Sequence, residues 1–181
     1  QTEAMQQFDH VLFACHSDQA LGILGADATS LERELLSQFP YQKNVAVLHT
    51  DPSVLPRHSK ACASWNYYIG PSGPGQSATV TYNMNILQGL RSRHMLNVTL
   101  NSDDLIDPAR VIDRFVYHHP IYTTRRRAAQ QRHHEVINRN RTSFCGAYWR
   151  NGFHEDGVVS AINVCRELGA RPPWSVDDSE A

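Results

Sequence analysis

The sequence predicts a mixed fold, with α/β material at both ends of the chain and an α+β segment containing an antiparallel sheet between them. The first part of the chain contains one compact apolar run followed by two helical patterns. The middle consists of short β-branched and aromatic runs separated by turn residues. The last part returns to a helix, a short apolar strand and a second helix. The predicted order is therefore β-α-α, then a run of strands, then α-β-α.

The N-terminal part begins with a strand over residues 8–14, where the apolar run FDHVLFA is bounded by polar residues. Such a run suits a buried strand of the parallel type. A helix is predicted over residues 16–24. Thr29 and Glu32 have the spacing of a capping box, which predicts the start of a second helix over residues 30–39.

The middle of the chain contains five strand candidates, which cover residues 44–50, 61–69, 78–84, 95–100 and 111–118. Turn-rich pieces separate them, notably residues 71–75, and this spacing is typical of an antiparallel sheet. Trp65, Tyr67, Tyr82 and Met84 alternate with polar neighbours on two of these strands. They are candidates for the wall of an apolar pocket, and packing in a core is the alternative.

The last part is predicted to form a helix over residues 125–137, a buried strand over residues 142–145 and a helix that begins near Glu155. Free N–H groups at a helix start can bind an anionic or carbonyl-rich ligand. Gly146 and Gly157 lack a Cβ, so a ligand could approach the backbone closely there. An ordinary loop, in which the glycines only form turns, is the alternative.

Bulk properties exclude several classes of function. The net charge of -1 leaves no global basic field for nucleic acid or anionic lipid, and the arginines at 125, 126, 127 and 132 are expected on a solvated helix face. No apolar run has the length of about 20 residues that a membrane span needs.

Four cysteines without a C-x-x-C pair favour reduced thiols in a cytoplasmic protein. The adjacent histidine pairs lack metal-ligand spacing, and neither a nucleophile elbow nor a P-loop occurs.

The segment from Phe144 to Val158 resembles the C-terminal flavin-contacting segment of FAD-dependent amine oxidases and phytoene-desaturase-like oxidoreductases. Phe144-Cys145-Gly146 matches the strand end, and Gly152-Phe153 matches a glycine–aromatic pair before the helix. The wider set FDHVLFACHSDQAL, YQKNVAVLHTD, ASWNYY, TYNMNILQGL, YHHPIY, GAYW and GFHEDG is similar to a bacterial family of predicted NAD/FAD-binding amine-oxidase-like proteins. This likeness covers nearly the whole chain.

The resemblance implies FAD as cofactor and hydride transfer to it from an amine or a lipid-like, apolar substrate. The implied cofactor contacts are Gly146, Ala147, Phe153, His154, Glu155, Asp156, Gly157 and Val158. The implied substrate pocket consists of Trp65, Tyr82, Tyr148 and Trp149. No catalytic side chain is implied, because a dedicated acid or base is often missing from such enzymes.

Two departures from the family pattern shape the prediction. Ala147 stands where relatives carry the acidic residue that holds the ribityl hydroxyls, and no G-x-G-x-x-G fingerprint for the FAD pyrophosphate occurs. We therefore expect the C-terminal part of a flavoprotein, with its dinucleotide-binding half missing. Residues 1–39 and 125–170 would belong to a Rossmann-like FAD domain, residues 40–124 to an inserted substrate domain, and residues 171–181 to a disordered tail. The alternative is a flavin-free interaction domain or degenerate remnant of the same fold.

Overall fold

The computed structural model describes residues 6–69 and 79–171 of the 181-residue chain. It divides into unit 1, Gln1–Tyr41 with Pro120–Ala181, and unit 2, Gln42–His119. The turn predicted at residues 71–75 and all of the predicted tail after Arg171 lie outside the described residues. The elements are β1 (Val11–Phe13), α1 (Ser17–Leu24), α2 (Ser30–Leu36), β2 (Tyr41–His49), β3 (Trp65–Tyr68), β4 (Thr79–Asn83), α3 (Met84–Leu87), β5 (Asn97–Leu100), β6 (Val111–Pro120), α4 (Arg126–Gln131), β7 (Thr142–Phe144) and α5 (His154–Glu167).

Unit 1 is built around a parallel pair of strands from the two ends of the chain. β1 pairs with β7, and Phe13 lies opposite Phe144 with a ring-centroid distance of 5.2 Å. These rings belong to a buried apolar cluster with Leu35, Leu36 and Phe39. The helices of unit 1 therefore pack around the strand pair through side chains that the sequence had marked as apolar.

The predicted capping box at the start of α2 is confirmed. The Thr29 hydroxyl accepts a hydrogen bond from the backbone N–H of Glu32 at 3.2 Å, and the Glu32 carboxylate accepts one from the N–H of Thr29 at 2.7 Å. The second carboxylate oxygen of Glu32 accepts from the Thr142 hydroxyl at 2.6 Å. Glu32 thus fixes the start of α2 and also ties it to β7.

The helix predicted over residues 125–137 is interrupted. α4 ends at Gln131, and a 3₁₀ turn, His133–Val136, follows. The imidazole Nε2 of His133 hydrogen-bonds the carbonyl of Phe144 at 2.7 Å, so this contact with the strand end holds the turn in place of a continued helix. Burial lowers the pKa of His133, and the ring of His134 adds to that shift.

Unit 2 contains a sheet in the order β3-β4-β5-β2-β6, of which the first three neighbouring pairs are antiparallel. The coarse prediction of a mixed fold with parallel and antiparallel sheets is therefore confirmed. The short helix α3 was not predicted. It begins after Asn83, whose side-chain oxygen accepts from the N–H of Ile86 at 3.2 Å.

The register of the unit 2 sheet defines two contrasting faces. Asn66, Thr81 and Thr99 lie side by side on one face, which is buried. Trp65 lies beside Tyr82 on the other face, where its side chain is 61% exposed. The buried face of this part of the sheet is thus polar, and the aromatic face is the more open one.

Candidate functional site

The strand–loop–helix segment that the sequence singled out is held together by one serine. The backbone N–H of Gly146, just after β7, donates to the hydroxyl of Ser160 at 2.8 Å. That hydroxyl in turn donates to the carbonyl of Gly157 at 2.8 Å. Because Ser160 lies in the second turn of α5, these two bonds hold the beginning of the helix against the carboxyl end of the strand.

The two glycines of this segment differ in what an added side chain would contact. A Cβ added at Gly157 would lie 3.8 Å from the backbone nitrogen of Ala147, which is ordinary contact distance. A Cβ at Gly146 would lie 2.5 Å from Cε1 of Tyr148, which is a clash. The absence of a side chain at Gly146 is therefore explained by its own neighbour Tyr148, without a ligand.

The loop before α5 is fixed by Asp156. One carboxylate oxygen accepts from the backbone N–H groups of Asn151 at 3.1 Å and Phe153 at 3.0 Å. The other oxygen lies 3.4 Å from Nε of Arg150. Asp156 is buried and engaged within its own loop, whereas its neighbour Glu155 is exposed. Of these two predicted cofactor contacts, only Glu155 has a carboxylate that faces solvent.

The start of α5 presents free backbone donors next to an aromatic ring. The N–H groups of Asp156 and Gly157 both bond to the carbonyl of Phe153, at 3.0 and 3.3 Å. The N–H groups of His154 and Glu155 have no hydrogen-bond partner among the described residues, as expected for the first positions of a helix. The Phe153 side chain beside them is 65% exposed.

The remaining predicted cofactor residues surround these donors. Gly146, Ala147 and Gly157 are half-buried, and Val158 is exposed on the first turn of the helix. We call the exposed or half-buried set Ala147, Phe153, His154, Glu155, Gly157 and Val158 the α5-start surface. Its residues carry two free backbone donors, the Phe153 ring, the imidazole of His154, the carboxylate of Glu155 and small or aliphatic groups.

The four predicted pocket residues fall into two separate pairs. Tyr148 and Trp149 are 4% and 3% exposed and belong to the core of unit 1, where Trp149 stacks on His133 at 4.1 Å between ring centroids. Burial raises the pKa of the Tyr148 phenol well above its usual value. Trp65 and Tyr82 contact each other in unit 2, with a centroid distance of 5.7 Å and nearly perpendicular rings. Within unit 1, Tyr148 and Trp149 support the α5-start surface from inside.

One arginine was placed wrongly by the sequence. Arg126 was expected on a solvated helix face, but it is only 3% exposed. Its Nη2 donates to the carbonyl of Arg150, and its guanidinium carbon lies 3.8 Å from the centroid of the Tyr122 ring. Nε and Nη1 have no hydrogen-bond partner in the described part of the chain. No pattern in the sequence predicts this burial, because Arg126 stands in a run of three arginines.

None of the helices in the described part of the chain is long and apolar enough to cross a membrane. The same residues contain no group of three or more His, Cys, Asp or Glu side chains that could hold a metal ion. Cys15, Cys62, Cys145 and Cys165 are free thiols. Burial raises the pKa of Cys145, and Cys165 and Cys15 add to that shift, so three of the four thiols lie in one neighbourhood.

Comparison with known proteins gives a likeness of structure. No protein-family model matches the sequence, and no curated protein matches it. A crystal structure from Exiguobacterium sp. 255-15, named "Putative protoporphyrinogen oxidase", matches with a TM-score of 0.58 and 14% identity. The likeness is one of fold. The match covers 88% of this chain and 41% of that chain, so this chain spans less than half the length of the protein it is similar to.

Proposed function

We propose that this chain is the C-terminal part of a flavin-dependent oxidoreductase, and that the α5-start surface contacts the flavin ring of FAD. The observation that carries the proposal is the pair of hydrogen bonds through Ser160, which holds free helix N–H groups at the carboxyl end of a parallel strand. Ligands in open α/β sheets bind at this end of the strands. The fold likeness to an oxidase adds support.

The residues present fit part of FAD. The free N–H groups of His154 and Glu155 suit carbonyl oxygens of the isoalloxazine ring, and the open ring of Phe153 suits its apolar edge. The sugar and phosphates have no matching group here, because Ala147 carries no carboxylate and Asp156 is engaged in its loop. We assign those contacts to the N-terminal half of the whole protein.

Bound FAD would supply the group that accepts the hydride. The share of this chain is to orient the ring through the N–H groups at the start of α5 and to exclude water with Phe153. An amine or a lipid-like, apolar molecule is the proposed substrate class. Trp65 and Tyr82 on the open face of the unit 2 sheet are proposed to contact it, as apolar side chains commonly do in ligand sites.

The N-terminal half is also the proposed partner of the parallel strand pair. Parallel sheets are normally covered on both faces and extend over several strands. Here β1 pairs only with β7 among the described residues, and Val11 and Leu12 are 40% and 49% exposed. Further strands of a Rossmann-like sheet, contributed by the missing half, would bury these side chains.

The test is the visible spectrum of the protein expressed from its complete reading frame. We expect a bound flavin, and a protein that stays colourless after reconstitution with FAD would contradict the proposal. Gly157→Leu should lower the flavin content because it adds a bulky side chain to the α5-start surface. Gly157→Ala is the matched control, since its Cβ fits beside Ala147. The 181-residue chain alone should bind FAD more weakly than about micromolar, since its sequence lacks the phosphate-binding fingerprint.

The alternative is a flavin-free interaction domain, which Ala147 favours because the acidic ribityl contact of relatives is absent. The same spectrum separates the two functions. The interaction domain would be supported if the full-length protein is colourless and both it and its Gly157→Leu variant are folded. A flavin-containing protein excludes it.

A further inference from the structure

A cavity of about 610 Å³ lies in unit 2 against the buried polar face of its sheet. Thr81 and Thr99 line it from the sheet, and Leu55, Pro56 and Leu105 line it from the segments that cover that face. Its volume is within the range of small-molecule sites in proteins, about 300–1,000 Å³. The lining is apolar on one side and carries hydroxyl groups on the other.

His49, Thr99 and Thr81 together carry one more polar hydrogen than the hydrogen bonds between them use. Thr81 Oγ1 lies 2.8 Å from Thr99 Oγ1, which lies 2.8 Å from Nε2 of the buried His49. Nδ1 of His49 accepts from the backbone N–H of Asp51 at 3.1 Å, so the hydrogen of the neutral ring is on Nε2. Burial lowers the pKa of His49, which keeps this ring neutral.

Three polar hydrogens therefore share two hydrogen bonds. They belong to Nε2 of His49 and to the hydroxyls of Thr99 and Thr81. Whichever threonine donates in the bond between them, one hydroxyl hydrogen has no protein acceptor among the described residues. Both residues line the cavity, and both are almost fully buried, at 2% and 1% exposure. A buried donor left without an acceptor is costly, so an acceptor in the cavity is favoured.

The charge at the cavity narrows the chemistry of that acceptor. Arg57 is the one charged residue among the described residues of the lining. Its side chain is exposed and has no ion pair or hydrogen bond with the described residues, so its guanidinium is free to bind a ligand. An arginine pairs well with a carboxylate or a phosphate through two hydrogen bonds in one plane, and the apolar wall at Leu55 and Leu105 favours the carboxylate, which carries less charge.

We propose that this cavity binds a small carboxylic acid with an apolar or aromatic body. Its oxygen atoms accept the spare hydroxyl hydrogen of the Thr81–Thr99 pair and pair with Arg57, and its body packs against Leu55 and Leu105. The proposal does not depend on FAD or on the α5-start surface, although the edge of the cavity includes Trp65, the proposed substrate contact of the flavin enzyme. It assigns unit 2 a ligand-binding role of its own.

The test measures binding of 4-phenylbutanoate to the 181-residue chain by isothermal titration calorimetry. The matched probes 4-phenylbutan-1-ol and 4-phenylbutylamine have the same body with a neutral and a positive head. We expect the carboxylate to bind at least tenfold more tightly than the amine, with the alcohol between them. Arg57→Gln should remove most of the preference for the carboxylate over the alcohol.

The hydroxyl contact is tested by removing both threonine hydroxyls, because the loss of either one alone still leaves a spare hydrogen on the other. The double substitution Thr81→Val with Thr99→Val should weaken binding of the carboxylate about tenfold. Thr81→Ser keeps the hydroxyl and should bind within about fourfold of the parent, given that only one methyl group is lost. Circular dichroism checks that each variant is folded. If the double variant fails to fold, Arg57→Gln still decides, because Arg57 is exposed.

Three results would overturn the proposal. The first is no saturable binding of the carboxylate, which would mean that water takes the spare hydrogen. The second is equal affinity for the acid, the alcohol and the amine. The third is equal carboxylate affinity in the parent chain, in the folded double variant Thr81→Val with Thr99→Val, and in Arg57→Gln.

Discussion

Ser160→Ala tests whether one hydroxyl joins α5 to the strand end. The Ser160 side chain is almost fully buried and accepts from the N–H of Gly146. Alanine removes the acceptor and leaves that N–H without a partner between the strand and the helix. An unsatisfied buried donor costs about 1–3 kcal/mol, and we expect the free energy of unfolding to fall by about 2 kcal/mol. The lost bond to the Gly157 carbonyl adds little, because carbonyls within a helix bond to the next turn.

The assay is equilibrium unfolding of the chain in urea, followed by circular dichroism. Ser37→Ala is the matched control, because the Ser37 hydroxyl is exposed, donates to the carbonyl of Glu34 at 3.1 Å and accepts only a long bond of 3.5 Å from Nε2 of Gln38. The control should change the unfolding free energy by less than about 0.5 kcal/mol. A Ser160→Ala chain that is as stable as the control would refute the account of how the α5-start surface is held. In the full-length protein, the same substitution should also lower flavin content.

Three further changes probe the groups around this surface. Asp156→Asn should cost about 1 kcal/mol in urea unfolding, because a charged acceptor of two backbone N–H groups becomes neutral, whereas the exposed Glu155→Gln should cost almost nothing. Arg126→Met should leave stability unchanged or raise it by about 1 kcal/mol, because it removes a buried cation two of whose nitrogens lack a hydrogen-bond partner among the described residues, and Gln130 still donates to the Arg150 carbonyl at 2.6 Å. A clear loss of stability would show that the contacts of the cation with the Tyr122 ring and the Arg150 carbonyl outweigh the cost of burying it. Burial lowers the folded pKa of His133 from its ordinary value of 6.5, so the unfolded chain binds a proton first as the pH falls. Stability is then full above pH 6.5 and declines below it, by at most about 1.4 kcal/mol per pH unit, and His133→Gln should reduce that decline in urea unfolding measured from pH 7.5 to pH 5.

Local signals in the sequence predicted the elements of the fold well. The Thr29–Glu32 capping box fixed the start of α2 because both of its bonds join residues three positions apart. The break between α4 and the following 3₁₀ turn was missed, since it depends on His133 reaching the Phe144 carbonyl in another element. Spacing within a segment therefore predicts helix starts, and contacts between segments decide where helices end.

The site shows the same division between local and distant causes. Glu155 and Asp156 are adjacent carboxylates at a helix start, and nothing in their order predicts that one faces solvent while the other binds two N–H groups of the preceding loop. Arg126 was assigned to the surface by its charge alone. Its burial depends on Tyr122 and on the carbonyl of Arg150, residues that lie outside α4.

In the unit 2 sheet the polar face is buried and the aromatic face is more open, which is the reverse of the usual arrangement. Short β-branched and aromatic runs predicted a strand near each of its five strands, with different bounds. An antiparallel sheet with one face exposed to solvent normally buries its apolar face. Here Thr81 and Thr99 face the covered side, where they bond to each other and to His49, while Trp65 is largely exposed beside Tyr82. A polar row is stable in that position because its hydrogen bonds run from strand to strand. Trp65, which is 61% exposed beside the half-buried Tyr82, has no such compensation, and this supports the proposed ligand contact of the pair.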